Sequence, residues 1–576
     1  MVDSNSYILG INCVYHESSA CLLKDGQIIA AVEEERFTRV KHAKLASVDN
    51  PDILPVNAIS FCLKEADITW NDINFIGYSF EPKKWATQLD KSATIPGERK
   101  EGWGTIEGEE IFEGKLKDIP YKLSQLAQED IADKFLWLPH HLCHAGSAYF
   151  VSPYSEAAVL VVDGIGEVES TTLYRGKDNI LSEIEAIACY PDSLGTLWET
   201  ISVLMGFSKY DATKVMGLAA YGKEDQEYLE MFKTFVKVQG PIFTIDPEVL
   251  QDNDFTDDCS ELENLFGLQK RKLNEKLEQK HADIALALQN LTDIILLNIA
   301  NYLYDRVQSP NLCLAGGVAL NCVSNQILQE KSPFKNLYIQ PAAHDAGTAI
   351  GAAYCIWNQT LRKPRSYIMK TPYLGPDYSS EEIQTVLDRN QLQYSQVDNI
   401  EEMTAKLISE GNVIGWFQGK MEIGPRALGN RSLVADPRNP NMREIMNQKV
   451  KHREDFRPFA PSVLEEYAQD WFKLPGDSLA LGFMLFACSA IEDKQSLIPA
   501  ILHVDGTSRV QVVNQQLNPK YHRLIQAFYQ ITGVPLVLNT SFNDTEPIVC
   551  SPEDAVKTFL KTKIDYLAIG DFLVRK

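Results

Sequence analysis

Apolar positions along the chain follow two periods. Tyr7–Tyr15 is a β-rich apolar run that breaks at the polar stretch His16-Glu17-Ser18-Ser19. Ala20–Lys24 and Gln27–Glu33 then flank Asp25-Gly26, which predicts a hairpin, because Asp and Gly accept the left-handed backbone of a two-residue turn. The same order returns further on. Ala157–Val162 is a buried-type strand ending in Asp163-Gly164, and Ser170–Tyr174 reads as its return strand, ending at Arg175-Gly176. Two strand–polar loop–strand units in one half predict two similar subdomains. From His281 to about 307 the apolar residues recur at helical spacing, and Asn311–Asn321 reads as a strand entering a glycine turn before a helix. The stretch 361–377, with Pro364, Pro372 and Pro376, predicts a linker between a first domain over 1–360 and a second over 378–576. The second opens with a helix over Glu381–Asp388 and a strand over Val413–Phe417. Strands alternate with helices throughout, so the fold class is α/β. Residues 246–280 are charged and poor in aromatics, which predicts a solvated surface insertion.

Composition narrows the function classes. Of 576 residues, 45% are hydrophobic and 23% charged, ordinary globular usage. The net charge of −23 argues against a nucleic-acid binder, which needs basic side chains facing phosphates, but is no obstacle to a small anion held in a local basic pocket. No unbroken apolar run reaches about 18 residues, so no transmembrane helix and no membrane partner are expected. The first residues lack a basic region followed by an apolar stretch, so no secretory signal is expected either. Eleven cysteines without a Cys-x-x-Cys pattern point to a reducing, cytoplasmic setting with thiols serving as small core residues.

Three local patterns carry chemistry. His140-His141-Leu142-Cys143-His144 holds three of the ten histidines. His140 and His144 are four apart, so on a helix they share a face and can grip one metal. The pattern is not His-Glu-x-x-His, which excludes a zincin-type protease. Further donors are needed, and Asp163 beside Gly164 and Asp345 beside Ala346-Gly347 are candidates. Such a set suits Fe²⁺, Mn²⁺ or Zn²⁺, and ligand type does not choose among them. The plain alternative is a pair of hydrogen-bonded histidines on a buried helix. Second come glycine turns after strands, at Asp163-Gly164, Gly316-Gly317 and Ala346-Gly347, where bare N–H groups can cradle phosphate. Neither a Walker A nor a GxGxxG pattern is present. Third, residues 420–457 carry nine basic side chains against five acidic ones. Arg426 lies in Gly424-Pro-Arg-Ala-Leu-Gly429 and Arg457 in Phe456-Arg-Pro-Phe-Ala-Pro461, so Gly, Pro and Phe fix the backbone and shield a guanidinium aimed at phosphate or carboxylate. His503, Asp505, Arg509 and Asn539–Asn543 add polar residues near strand ends, equally consistent with a pocket lining or with turns and caps.

Taken together, the chain resembles the O-carbamoyltransferases of secondary metabolism, the nodulation, cephamycin and tobramycin carbamoyltransferase family. The matching stretches are His16–Ala20, Glu33–His42, His140–Ala145, Val162–Gly164, Lys214–Ala219, Gly316–Asn321, Gly424–Gly429, Phe456–Pro461, His503–Thr507 and Asn539–Asn543, in family order over nearly the whole chain. The resemblance implies an N-terminal actin- and sugar-kinase-like (ASKHA) domain of two RNase H-like halves, of the threonylcarbamoyl-transfer type, and a C-terminal YrdC-like α/β domain. It implies a two-step reaction. Carbamoyl phosphate and ATP give carbamoyl-adenylate and pyrophosphate, and the carbamoyl group then passes to a hydroxyl of a small molecule. Carried over residue by residue, His140, His144, Asp163 and Asp345 would hold Fe²⁺. Lys41, Gly195, Gly317 and Asn321 would line the nucleotide pocket. Arg426 and Arg457 would bind carbamoyl phosphate with Lys449 and Arg509 as helpers, and His16 would be the general base. The rival readings are a tRNA threonylcarbamoyl-type or protein-maturation carbamoyl transfer, and an ATP-binding regulator without chemistry. The acidic chain disfavours tRNA. The acceptor stays open among aminoglycosides, sugars, cephem hydroxymethyl groups, macrolactams and saxitoxin-type alkaloids, and the oligomeric state is not readable.

Overall fold

Ten strands of the N-terminal half form two sheets of the same strand order. In the first, β1 (Tyr7–Asn12), β2 (Ser19–Lys24), β3 (Gln27–Glu33), β4 (Ile73–Tyr78) and β5 (Phe135–Trp137) lie in the order β3-β2-β1-β4-β5. The β1–β2–β3 pairings are antiparallel, and β1–β4 and β4–β5 are parallel. Asp25 and Gly26 turn the hairpin with φ of 51° and 79°. In the second sheet, β6 (Glu156–Val162), β7 (Glu169–Lys177) and β8 (Ile180–Cys189) repeat the antiparallel set. A hairpin of β9 (Val236–Gln239) and β10 (Ile242–Ile245) intervenes, and β11 (Asn311–Ala315) and β12 (Asn336–Ile339) then add in parallel to give β12-β11-β6-β7-β8. The central strands are apolar without alternation because both faces are covered: all six residues of β1 and six of the seven in β6 are buried. The computed structural model describes residues 6–88, 102, 103, 105–224, 226–250, 259–272, 275–476 and 478–576.

Each sheet is followed by a helix that matters for the site. His140–Tyr149 follows β5, and Thr348–Tyr354 follows β12. These helices cross backbone to backbone. A Cβ added at Gly351 would lie 1.7 Å from the Cys143 carbonyl oxygen, and one at Gly10 on β1 would lie 1.9 Å from that of Ala349. Only glycine permits such an approach.

The helix Gln279–Val307 is long and apolar enough, by length and composition, to cross a membrane, although it contains no unbroken apolar run of that length. It is a core helix: Ile284, Leu288, Leu291, Ile295, Ile299 and Leu303 are buried at helical spacing. It packs on Ala212–Ala219, Gln226–Phe235 and Cys322–Lys331.

The stretch 246–280 departs from the expected solvated insertion. Helix Ser260–Phe266 buries Leu262 and Phe266, and the Phe266 ring meets Tyr228, Phe232 and Phe235. Arg271 is buried, lies over Phe207, and donates to the carbonyls of Met205 (2.5 Å) and Glu275 (2.7 Å). A few apolar and stacking residues anchor a segment whose composition is otherwise that of a surface. Its residues 251–258, 273 and 274 lie outside the described residues.

The chain divides into two compact units, Met1–Met369 and Lys370–Lys576. The second is built on β13 (Tyr394–Gln396), β14 (Ile414–Phe417), β15 (Arg431–Ala435), β16 (Ala460–Leu464), β17 (Ala487–Ser489), β18 (Thr507–Arg509), β19 (Gln511–Val513), β20 (Leu536–Ser541), β21 (Tyr566–Ile569) and β22 (Phe572–Arg575). Eight of these form a mixed sheet, β13-β22-β21-β14-β15-β20-β16-β19, and β17 pairs with β18. Helices such as Ile400–Ser409 and Pro519–Thr532 pack on one another through buried apolar faces. The whole is a mixed α/β fold.

Candidate active site

His140 and His144 stand one turn apart on their helix, with ring centroids 4.7 Å apart. Asp163 is the first residue beyond β6, and Asp345 opens the turn that leads from β12 into Thr348–Tyr354. Asp163 Oδ2 lies 3.4 Å from His140 Nε2 and 3.2 Å from His144 Nε2, and Asp345 Oδ1 lies 3.6 and 3.5 Å from the same two nitrogens. All four side chains are buried, and their ligand atoms fall within 4.8 Å of one another. His140 Nδ1 is held by the Ser79 carbonyl at 3.1 Å, while both Nε2 atoms lack a hydrogen bond. A buried polar atom without a partner is costly, and an imidazole held at Nδ1 offers Nε2 as a lone pair. His144 has no hydrogen bond at either ring nitrogen. The two Nε2 atoms facing two carboxylates fit a divalent cation, and the N₂O₂ donor set leaves Fe²⁺, Mn²⁺ and Zn²⁺ open.

The charges of this quartet are mutually dependent. Burial works to raise the carboxyl pKa of Asp163, but the His144 and His140 imidazoles outweigh it and hold the group well below its ordinary range. Asp345 is held low in the same way by His16 and His140. Burial works to lower His140 and His144, and the facing carboxylates raise both above the ordinary histidine value. His141 differs: burial dominates and keeps it neutral, with Nδ1 2.7 Å from Thr172 Oγ1.

Backbone and side chains around the quartet hold it in place. Glu167 Oε1 accepts the N–H groups of His140 and Glu81, each at 2.8 Å, and so caps the start of the ligand helix. Gly317 N–H donates to Asp163 Oδ1 at 2.8 Å. Gly195 opens the helix Leu194–Leu204 directly against the strand end, where an added Cβ would lie 2.6 Å from the Gly164 nitrogen. Gly195 and Gly317 therefore both border the Asp163-Gly164 turn. Asn321 stands at the start of the next helix. Its Oδ1 caps the following helix by accepting from Val323 and Ser324, each at 3.1 Å, and its amide donates to Gln289 at 2.9 Å. Lys41 is exposed on the turn after Thr38. His16 is half-buried, its Nδ1 has no hydrogen-bond partner, and burial lowers its pKa despite the facing Asp345.

The second unit sorts the basic residues of 420–457 into separate roles. Arg431 is fully buried over the Phe417 ring and donates to the carbonyls of Gln418, Gly419, Asn430 and Pro376. Arg438 pairs with Asp436, and Lys451 is spent on Ser541 and Asn543. Arg426 and Arg457 are half-buried, and Lys449 is exposed. Arg457 pairs with Glu454 at 3.5 Å. Burial, and then Arg457 and Arg509, push the guanidinium pKa of Arg453 well down, with Glu454 opposing. Arg453 donates to Asn447 Oδ1 at 2.8 Å and lies over the Phe459 ring. It sat within the basic run, but nothing in the sequence separated it from Arg431 or Arg438.

The segment after Arg426 is clamped. Glu422 Oε1 accepts the N–H groups of Leu428 (2.7 Å) and Asn430 (2.8 Å). Tyr373 and Gln511 donate to the Leu428 carbonyl, Trp416 to that of Gly429, and Asn539 to that of Ala427. Glu17, His42, Tyr210 and Glu167 also stand around the site, with no role assigned to them from the sequence. The first two carried a signal, since they are the immediate neighbours of His16 and Lys41.

Comparison with known proteins agrees over the chain's length. The carbamoyltransferase N-terminus family matches residues 7–354, and the carbamoyltransferase C-terminus family matches 405–576. The uncharacterized protein sll1178 of Synechocystis is 38% identical, over 99% of this chain and 97% of that protein. Nodulation protein NolNO of Sinorhizobium fredii is 35% identical, over 98% of this chain and 80% of its own. Among solved structures, T. kodakarensis HypF aligns over 61% of this chain and 47% of its own, at 13% identity and a TM-score of 0.33. With both family signatures laid end to end along it, the chain belongs to the carbamoyltransferase family and is an O-carbamoyltransferase.

Proposed function

We propose that the protein transfers a carbamoyl group to a hydroxyl of a small secondary metabolite in an ATP-dependent, two-step reaction. Residues 1–360 act as an ASKHA-like transfer domain of two RNase H-like halves, 361–377 as the linker, and 378–576 as a YrdC-like domain that forms carbamoyl-adenylate. The repeated strand order of the two N-terminal sheets supports the first assignment. In the second domain, Arg426 and Arg457 hold carbamoyl phosphate, with Lys449 and Arg509 as helpers. Its hydrolysis gives carbamate and phosphate. Carbamate oxygen then attacks the α-phosphorus of ATP, and pyrophosphate leaves. In the first domain, Lys41, Gly195 and Gly317 line the nucleotide site, and Asn321 shapes it by capping the next helix. His16, kept neutral by burial, takes the proton of the acceptor hydroxyl as its oxygen attacks the carbamoyl carbon and AMP departs. When bound to His140, His144, Asp163 and Asp345, a divalent ion, Fe²⁺ in this reading, supplies positive charge against the negative charge that develops in transfer. Among the described residues the cysteines form no disulfide, in keeping with the reducing cytoplasm of this reading.

The observation that carries this reading is the pair of bond-free imidazole nitrogens facing carboxylates from two strand ends of one sheet, beside bare glycine N–H groups. The test is product analysis by mass spectrometry with ATP and carbamoyl phosphate, with and without chelator and added Fe²⁺, followed by a panel of aminoglycoside, sugar and hydroxymethyl acceptors. Carbamoyl-phosphate-dependent release of pyrophosphate is the expected result. Its absence with metal restored and acceptors present would overturn the assignment.

A further inference from the structure

Next to His16 stands a carboxylate–imidazole pair that the reading above does not use. His42 Nδ1 lies 2.5 Å from Glu17 Oε1. The backbone locks the same two residues: Glu17 N–H donates to the His42 carbonyl at 2.9 Å, and His42 N–H donates to Glu35 Oε2 at 2.7 Å. The lock is held in a costly conformation. Glu17, His42 and Ala43 have φ of 52°, 62° and 63°, left-handed values that non-glycine residues rarely adopt.

Tyr210 ties this pair to His16. Its ring stacks on His42 at 4.8 Å and 28°, and meets His16 edge-on at 5.2 Å and 81°. Its hydroxyl accepts the Ala46 N–H at 3.1 Å. The two imidazoles therefore flank one tyrosine ring, with centroids 6.4 Å apart. That is too long for a direct hydrogen bond and within the span of one bridging water. His16 is the inner ring, with an Nδ1 that has no partner, and His42 is the outer one, with 26% of its side chain exposed. A carboxylate on Nδ1 orients an imidazole, fixes its tautomer and stabilises its protonated form.

We infer that Glu17 and His42 form the proton relay of the transfer step, an inference that rests on the base role of His16. The acceptor oxygen bonds to the carbamoyl carbon, and the bond from that carbon to the adenylate oxygen breaks, its electron pair leaving with AMP. The hydroxyl proton goes to His16, then through water to His42 Nε2, and from there to solvent. Glu17 remains ionised throughout and holds the His42 Nδ1–H. Tyr210 is a positioning residue that keeps both rings in register.

The test uses the full-length, iron-loaded protein with ATP and carbamoyl phosphate, and reads pyrophosphate and AMP separately. Any panel alcohol that becomes carbamoylated serves as acceptor, and otherwise water does. His42→Asn keeps an amide donor where Nδ1 meets Glu17, and so keeps the pairing, but cannot relay a proton. It is expected to release pyrophosphate at the parent rate while AMP release falls about tenfold or more. His42→Ala is expected to lose transfer likewise and to recover part of it with free imidazole. His42→Asn transferring at the parent rate, or losing both steps equally, would overturn the relay. Lack of pyrophosphate from the parent protein is instead the failure of the two-step reading, and the relay falls with it. His16→Ala transferring at the parent rate removes the base on which the relay depends.

Discussion

Asp163 and Gly317 divide the work of one carboxylate. The Gly317 N–H fixes Oδ1 at 2.8 Å, so that Oδ2 alone turns toward His140 and His144. A ligand oriented by a backbone donor needs no reorganisation when a cation arrives. Asp163→Asn keeps the size but removes the charge, and iron bound per chain is expected to fall at least about tenfold. Metal analysis after gel filtration checks this, with retained iron excluding Asp163 as a ligand.

The quartet makes stability depend on pH in the metal-free protein. His140 and His144 are raised above 6.5, so their contribution is complete below that value and is lost as pH climbs through the raised range. Asp163 and Asp345 are depressed below 3.8, so theirs is present above that value and lost as pH falls through the depressed range. The Tm of chelator-treated protein is therefore expected to decline above about pH 6.5. Added Fe²⁺ is expected to flatten the decline, because the metal takes the place of the protons. Thermal scans from pH 5.5 to about 9 read both arms, and a chelated protein that gains stability toward pH 9 contradicts the account.

Gly351 sets how close the ligand helix comes to its neighbour. A methyl group there would sit 1.7 Å from the Cys143 carbonyl, an impossible contact with backbone. Gly351→Ala is expected to cost about 3 kcal/mol or more and to lower iron content, since His140 and His144 ride on the displaced helix. Urea unfolding together with metal analysis checks it.

In the second unit, Arg426→Ala is expected to abolish carbamoyl-phosphate-dependent pyrophosphate release while leaving transfer from supplied carbamoyl-adenylate. Glu422→Ala strips the acceptor from the N–H groups of Leu428 and Asn430. It is expected to destabilise by about 2–4 kcal/mol and to raise KM for carbamoyl phosphate, with Glu422→Gln recovering much of both. An unchanged KM in the alanine variant would remove Glu422 from the site.

His16→Ala is expected to spare pyrophosphate release and to slow transfer by about 10²-fold or more, as loss of a general base does. Equal loss of both activities would assign His16 to the nucleotide rather than the acceptor.

Much of the local architecture was legible because it is written in short-range chemistry. Asp25-Gly26 marks its hairpin, the unbroken apolar residues of β1 and β6 mark buried central strands, and the four-residue spacing of His140 and His144 marks one helix face. The basic stretch was less legible, because charge alone does not tell a guanidinium capped by four carbonyls from one set on an amide oxygen and an aromatic ring. Arg431 and Arg453 look alike in sequence and differ in what surrounds them. The stretch 246–280 misled for the opposite reason: Leu262, Phe266 and Arg271 anchor it, and their weight is lost among many charges.

The α/β class, the repeated strand–turn–strand units, and the residue types able to bind a metal and an anion are written along the chain. Each of these depends on neighbours a few positions apart, whose geometry the backbone dictates. Which donors meet is a matter of tertiary packing. Asp163 and Asp345 are separated by the length of a domain, and they converge because β6 and β12 end on the same side of one sheet. Tertiary packing likewise made Asn321 a helix cap and set Glu17 against His42 across a left-handed turn. Such pairings are settled by burial and by the satisfaction of buried polar groups, which act through space and leave no period along the chain.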